Sequence, residues 1–214
     1  MKTKTLFTSI LILLFACTTT FAATKQERKV DAFSKIDIDS AFKVYLSQGS
    51  TQSVAIEIDD EYINDVETKV SNGTLYVKLK DTRGGNRNID IMNVYITIPT
   101  IDGITASGAA KFMVETPIKN SGAVKFDLSG ASSVKDVTLT CKKLDIEMSG
   151  ASKCSINLAA DEVDVDASGA ASLELSGKVD RLEVDGSGAS KVDVRSLKYS
   201  TSDVDMSAAA SLRK

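Results

Sequence analysis

Along the second half of the chain, apolar residues fall at every second position in short runs, and each run ends in the same string of small residues. With the first serine of each string as position zero, position minus three is Phe126, Ile146, Val165, Val184 and Val204. Position minus five is Val124, Leu144, Val163 and Leu182, then Ser202, and position minus one is Leu128, Met148, Ala167, Gly186 and Met206. A period of two predicts a strand with one buried face. The opposite parity carries acid: position minus two is Asp127, Glu147, Asp166, Asp185 and Asp205, so those side chains are expected to face water. Reading forward, position plus five is Phe112, Val134, Cys154, Leu173, Val192 and Leu212. In most units another apolar residue follows two places on, such as Val114, Ile156, Leu175 or Val194, which predicts a shorter second strand on a new face. A less regular third segment carries Ile118, Leu139, Leu158, Val179 and Leu197.

The strings are SGAA at Ser107 and Ser168, SGAS at Ser129, Ser149 and Ser187, and SAAA at Ser207. Their spacings of 22, 20, 19, 19 and 20 residues suit units that stack, each covering its neighbour's core. Gly108, Gly130, Gly150, Gly169 and Gly188 mark the corners between the two strands, where the backbone must bend sharply. At about 3.3 Å per strand residue, such a unit holds three short strands and three bends. The pattern therefore predicts an all-β fold, a parallel β-helix or β-solenoid. A sandwich of hairpins would need recurrent two-residue turns. The repeated half has no Asn-Gly, and its one Asp-Gly, Asp185-Gly186, lies inside a strand.

Residues 29–105 alternate too, but without the period. Ile36–Ile38, Phe42–Leu46, Val54–Ile58, Leu75–Leu79 and Val94–Ile98 read as strands, Asn72-Gly73 as a hairpin turn, Glu61–Val66 as one helical turn and Arg83–Arg87 as an exposed loop. Asn72-Gly73-Thr74 is also a glycosylation sequon, but the turn is the better reading. We expect this half to form longer, irregular coils that close the N-terminal end of a single β-helical domain spanning 23–214, with the SGAS-type repeats in 106–214.

At the N-terminus, Lys2 and Lys4 precede the apolar stretch Leu6–Ala16, and Thr20-Phe21-Ala22 ends in a small residue. This predicts a signal peptide over 1–22 and an exported chain in the periplasm, outer membrane or cell surface. Leu14–Cys17 also reads as a lipobox that would anchor the chain to the membrane at Cys17, although bulky Phe15 argues against it. Without residues 1–22 the chain holds 24 Lys and Arg against 29 Asp and Glu, a net charge of −5, which gives no electrostatic case for nucleic acid. Cys141 and Cys154 remain and are expected as unpaired, buried thiols.

The run from Phe33 through Leu79, then ITIPTIDGITASGAAKF and several SGAS units, resembles the head GIN domain family of "putative auto-transporter adhesins". The similarity covers roughly Val30 to the C-terminus. It implies an exported Gram-negative envelope protein with a right-handed β-helical fold and brings no catalytic residues. The final SAAA departs from the pattern, with alanine in place of the corner glycine.

The chain has no histidine and no tryptophan, which removes the commonest general base and the usual zinc ligands. Its five tyrosines offer little of a stacking platform for sugars. Six equivalent serines read as corner residues, since a nucleophile needs a base within reach. The remaining candidate is an acidic ladder: if units stack at about 4.8 Å, Glu147, Asp166, Asp185 and Asp205 lie in one file, with Asp164 in a second file beside it. Such a face could attract Ca²⁺, a basic partner or nearby lysines. It could equally be a solvated face that keeps a β-rich protein apart from its neighbours, and the GGxGxD pattern of Ca²⁺-binding solenoids is missing. Lys111, Lys153 and Lys191 recur at position plus four of alternate units. The expectation is a non-enzymatic envelope or surface protein in adhesion or assembly, with an envelope protein or a glycan as partner. The alternatives are a carbohydrate-binding module and a polysaccharide lyase or hydrolase on a β-helix scaffold.

Overall fold

The computed structural model describes residues 23–80 and 88–214. The expected signal peptide over 1–22, Cys17 and the expected loop at 83–87 lie outside the described residues. The chain folds as an all-β parallel β-helix of about six turns, as the alternation and the recurrent corners predict.

The N-terminal half comprises β1 (Ala23–Glu27), β2 (Lys35–Ile38), β3 (Lys43–Gln48), β4 (Ser53–Asp59), a 3-10 helix (Asp60–Asp65), β5 (Val66–Ser71), β6 (Thr74–Leu79) and β7 (Met92–Ile98). The repeats follow as β8 (Gly103–Ala106), β9 (Lys111–Val114), β10 (Ile118–Lys119), β11 (Ala123–Leu128), β12 (Ser133–Thr140) and β13 (Lys143–Met148). Three long strands then wrap most of a turn each: β14 (Lys153–Ala167), β15 (Ser172–Gly186) and β16 (Lys191–Met206), before the short β17 (Ser211–Arg213). In these long strands the sequence's second and third segments run together without a break.

The pairing explains the uneven spacing of the strings. β14 and β15 pair with a constant offset of 19 residues, from Lys153↔Ser172 to Ala167↔Gly186. The 20-residue units place their extra residue in a bulge, between Val134 and Val137 in β12 and between Asp193 and Ser196 in β16. A bulge keeps the inward set facing inward on both sides of the insertion. In the third segment Leu139, Leu158, Gly177 and Leu197 share one file. Val179 lies further along, aligned with Ala160 and Tyr199, and is still fully buried.

At five of the six serine corners the fourth residue's N–H donates to the first serine's carbonyl, as from Ser132 to Ser129 at 3.3 Å. The corner glycines hold φ between +63 and +68, the sign that a type II′ turn demands at its second residue. Stacking adds a second reason for glycine. A Cβ on Gly150 would lie 2.7 Å from the carbonyl oxygen of Gly130, the atom that accepts the Ala151 N–H at 2.7 Å.

The N-terminal half differs from the expected run of longer coils. β2 pairs in parallel with both β6 and β8, and β3 with both β7 and β9. The coil built from β6 and β7 therefore stacks outside β2 and β3 although it comes later in sequence. Beyond it the pairing turns antiparallel: β5 with β6 through the Asn72-Gly73 turn, and β4 with β7 and β1. Asn72 at φ 50 and Gly73 at φ 71 supply the two positive values of a type I′ hairpin. Short polar edges such as β1 are poor templates for further pairing. One contiguous core runs from Phe33 to Leu197, with Phe42 and Phe126 among its fully buried side chains.

Candidate functional site: two charged flanks

The register places Asp127, Glu147, Asp166, Asp185 and Asp205 directly opposite one another in successive strands. The file begins earlier than the repeats suggest. Asp37 is opposite Thr105, which is opposite Asp127, because Asp39–Phe42 forms an extra corner stacked under Ser107–Ala110, with the Ala109 N–H donating to the Ser40 carbonyl. Ser40 there holds φ 78, and the Asp39 carboxylate accepts from the Ser40 N–H at 2.6 Å and from the Ser107 hydroxyl at 3.0 Å. With no glycine and no serine at its first position, this corner carries little of the signal that marks the others.

A neighbouring file holds Lys125, Asp145, Asp164, Glu183 and Asp203, and here the charge is largely answered. Lys143 bridges Asp145 at 3.2 Å and Asp164 at 2.5 Å, and Arg181 pairs with Glu183 at 2.9 Å. These two carboxylates hold the Lys143 ammonium well above its usual range, the Asp164 bond first. In the first file, by contrast, Lys125 pairs with Glu147 at 2.6 Å, while Asp127, Asp166, Asp185 and Asp205 make no ion pair among the described residues. Partial burial, then the charges of Asp185, Glu147 and Asp164, raise the Asp166 carboxyl above its ordinary 3.8. Burial, Asp39 and Asp127 do the same to Asp37.

These carboxylates form one wall of an open groove of about 520 Å³, and the corner serines Ser149, Ser168, Ser187 and Ser207 line the other side. The serines are structural: the Ser168 hydroxyl donates to the Met148 carbonyl and that of Ser207 to the Gly186 carbonyl, both at 3.2 Å. Among the described residues, no three His, Cys, Asp or Glu side chains are grouped so as to hold a metal ion. Glu147, Asp164, Asp166, Asp185 and Asp205 are spread one per coil and file, whereas Ca²⁺ takes six to eight oxygens at about 2.4 Å.

Across the corner lies a basic face. Lys43, Lys111, Ser133, Lys153, Ser172 and Lys191 form one file, with Tyr95, Tyr45, Met113 and Lys135 beside it. The tyrosine rings stack on each other at 4.9 Å and 8°, a pairing that the sequence reading missed because Tyr45 and Tyr95 are 50 residues apart in the chain. Lys25 lies over the Tyr95 ring at 3.6 Å, and the Tyr95 hydroxyl donates to Glu57 at 2.6 Å. That bond, with burial and the Glu57 charge, pushes the phenol up to about 12. Cys141 and Cys154 are separate buried thiols. Burial raises both, Cys141 to about 11.

The family model described as "Putative auto-transporter adhesin, head GIN domain" matches residues 32–213. The chain belongs to this family. No curated protein matches its sequence. Among solved structures, a "putative adhesin" from Parabacteroides distasonis is similar with a TM-score of 0.76 and 20% identity, over 85% of this chain and 76% of that one. A "putative adhesin" from Bacteroides fragilis gives a TM-score of 0.71 and 19% identity, over 91% and 97%. A "putative lipid binding protein" from P. distasonis gives 0.78 and 18%, over 89% and 80%. At such identities the likeness is one of fold. Family membership places adhesion and a surface or envelope setting within reach, and fold alone assigns no activity.

Proposed function

We propose that this chain is a non-enzymatic, exported envelope or cell-surface protein that works by presenting a rigid solenoid flank to a partner. The groove between the carboxylate file and the corner serines carries this reading. Its walls repeat with the coils, its charge is unanswered along most of its length, and the hydroxyls of Ser168 and Ser207 are tied to backbone carbonyls. A repeating, preformed face suits recognition of an extended partner, since little ordering entropy is lost on binding. Family membership is consistent with adhesion, and the absence of histidine from the chain leaves the face without the commonest general base.

The test has two arms. Protease accessibility on intact cells locates the chain, and capture from solubilised envelope with the immobilised chain identifies a partner, with Asp166→Lys/Asp185→Lys as the control. Surface exposure and capture that the control loses are expected. Release of unsaturated products from acidic polysaccharides, or a chain confined to the cytoplasm, would overturn the reading.

A further inference from the structure

Two faces of this solenoid carry opposite charge that the molecule cannot answer by itself. On one, Asp127, Asp166, Asp185 and Asp205 line an open groove. On the other, Lys43, Lys111, Lys135 and Lys153 are exposed, and none makes an ion pair among the described residues. The corner separates the two files, and the rigid backbone ladder through it keeps them on different faces. Within the basic face lies a second open groove, of about 380 Å³, where Lys43, Lys111 and Lys135 outnumber the one carboxylate, Asp136, and Met113 adds an apolar side chain. Met113 is the exposed large apolar side chain among the described residues, at 45%.

We propose that the lysine face docks into the carboxylate groove of a second copy of this chain. The proposal rests on the reading of that groove as an interaction surface and names its occupant. Both files belong to one solenoid and so climb by the same step, about 4.8 Å per coil. Two copies side by side with parallel axes therefore keep lysine and carboxylate in register over several coils, while Met113 is removed from water. The basic face is centred on the coils of β3, β9 and β12, and the acidic groove on those of β13 to β16. Docking thus sets neighbours off by three to four coils, about 15–20 Å. The contact joins different patches on the two copies and does not close on itself, so it builds an open row of molecules. Like-face contacts place equal charges opposite each other, which disfavours the symmetric dimers.

Sedimentation of the wild-type chain from about 0.01 M to about 1 M salt, over which the screening length falls from about 30 Å to about 3 Å, reads the association directly. Mass above the monomer at low salt that returns to the monomer at high salt is expected. Two variants that retain the wild-type circular dichroism sharpen the result: Lys43→Gln/Lys111→Gln/Lys135→Gln keeps only the acidic groove, and Asp166→Asn/Asp185→Asn/Asp205→Asn keeps only the basic face. Each alone should stay monomeric, and their mixture should give a one-to-one heterodimer and nothing larger. A wild-type monomer at low salt, or assembly that survives in either variant alone, overturns the proposal. So does a monomer whose lysine face instead retains an acidic polysaccharide. Envelope capture by the groove can succeed or fail independently of this result.

Discussion

Ala208 holds φ at +58, in the corner position where five other turns use glycine. A left-handed backbone costs a residue with a Cβ about 1–2 kcal/mol. Ala208→Gly is therefore expected to stabilise the chain by about 1 kcal/mol in urea unfolding. The reverse change inside the stack, Gly150→Ala, carries the same strain plus the approach to Gly130, and should lower stability by about 2 kcal/mol or more. The fourth corner position shows the opposite economy. Ser132, Ser152 and Ser190 are fully buried with hydroxyls that find no hydrogen-bond partner among the described residues, while Ala110 and Ala171 occupy the equivalent places and are equally buried. An unanswered buried hydroxyl costs about 1–3 kcal/mol, so Ser152→Ala should raise the urea midpoint rather than lower it. The corner glycines were legible from the sequence because glycine alone meets both constraints without strain. The corner at Asp39 was not, because Ser40 takes the same φ with a carboxylate holding its N–H.

At the scale of the strand, the acidic file is a source of mild strain held by the core behind it. The Asp166 carboxyl is raised by burial first and by its file neighbours next. The folded chain therefore binds this proton more tightly than the unfolded chain, whose carboxyl stays near 3.8. It follows that Asp166 lowers stability at neutral pH, and that the penalty disappears as pH falls through the raised value and below 3.8. Asp166→Asn should be slightly more stable at pH 7, by no more than about 0.5 kcal/mol for so exposed a position, and indistinguishable from wild type in acid. Melting curves across pH check the sign. Added Ca²⁺ is expected to leave the melting temperature unchanged, since the carboxylates line up instead of converging. A rise that Asp166→Asn/Asp185→Asn abolishes would contradict this. The file itself was readable from the alternation. Its neutralised neighbour was not, because Lys143 reaches Asp164 across strands, and a sequence does not show how far a side chain leans.

Across the whole molecule, protection is set by stacking on both sides. Val184 and Val192 are buried beneath the next coil, whereas Val204, Met206 and Leu212, in the last, are only partly covered. Amide exchange in this chain should be slowest in β13 to β15 and should quicken through β17, in the manner of a quasi-one-dimensional stack. Uniform protection up to Arg213 would show that something else covers that end. The sequence by itself determined the strand parity, the corners and the coil length, because a period of two and a recurrent small-residue turn are local constraints that every unit must satisfy. Only the tertiary structure decided that β6 and β7 stack outside β2 and β3, that Tyr45 meets Tyr95, and that acidic and basic files stand on opposite sides of one corner. Those facts depend on which coil lies on which, and pairing between distant segments leaves no trace in the local alternation of either partner.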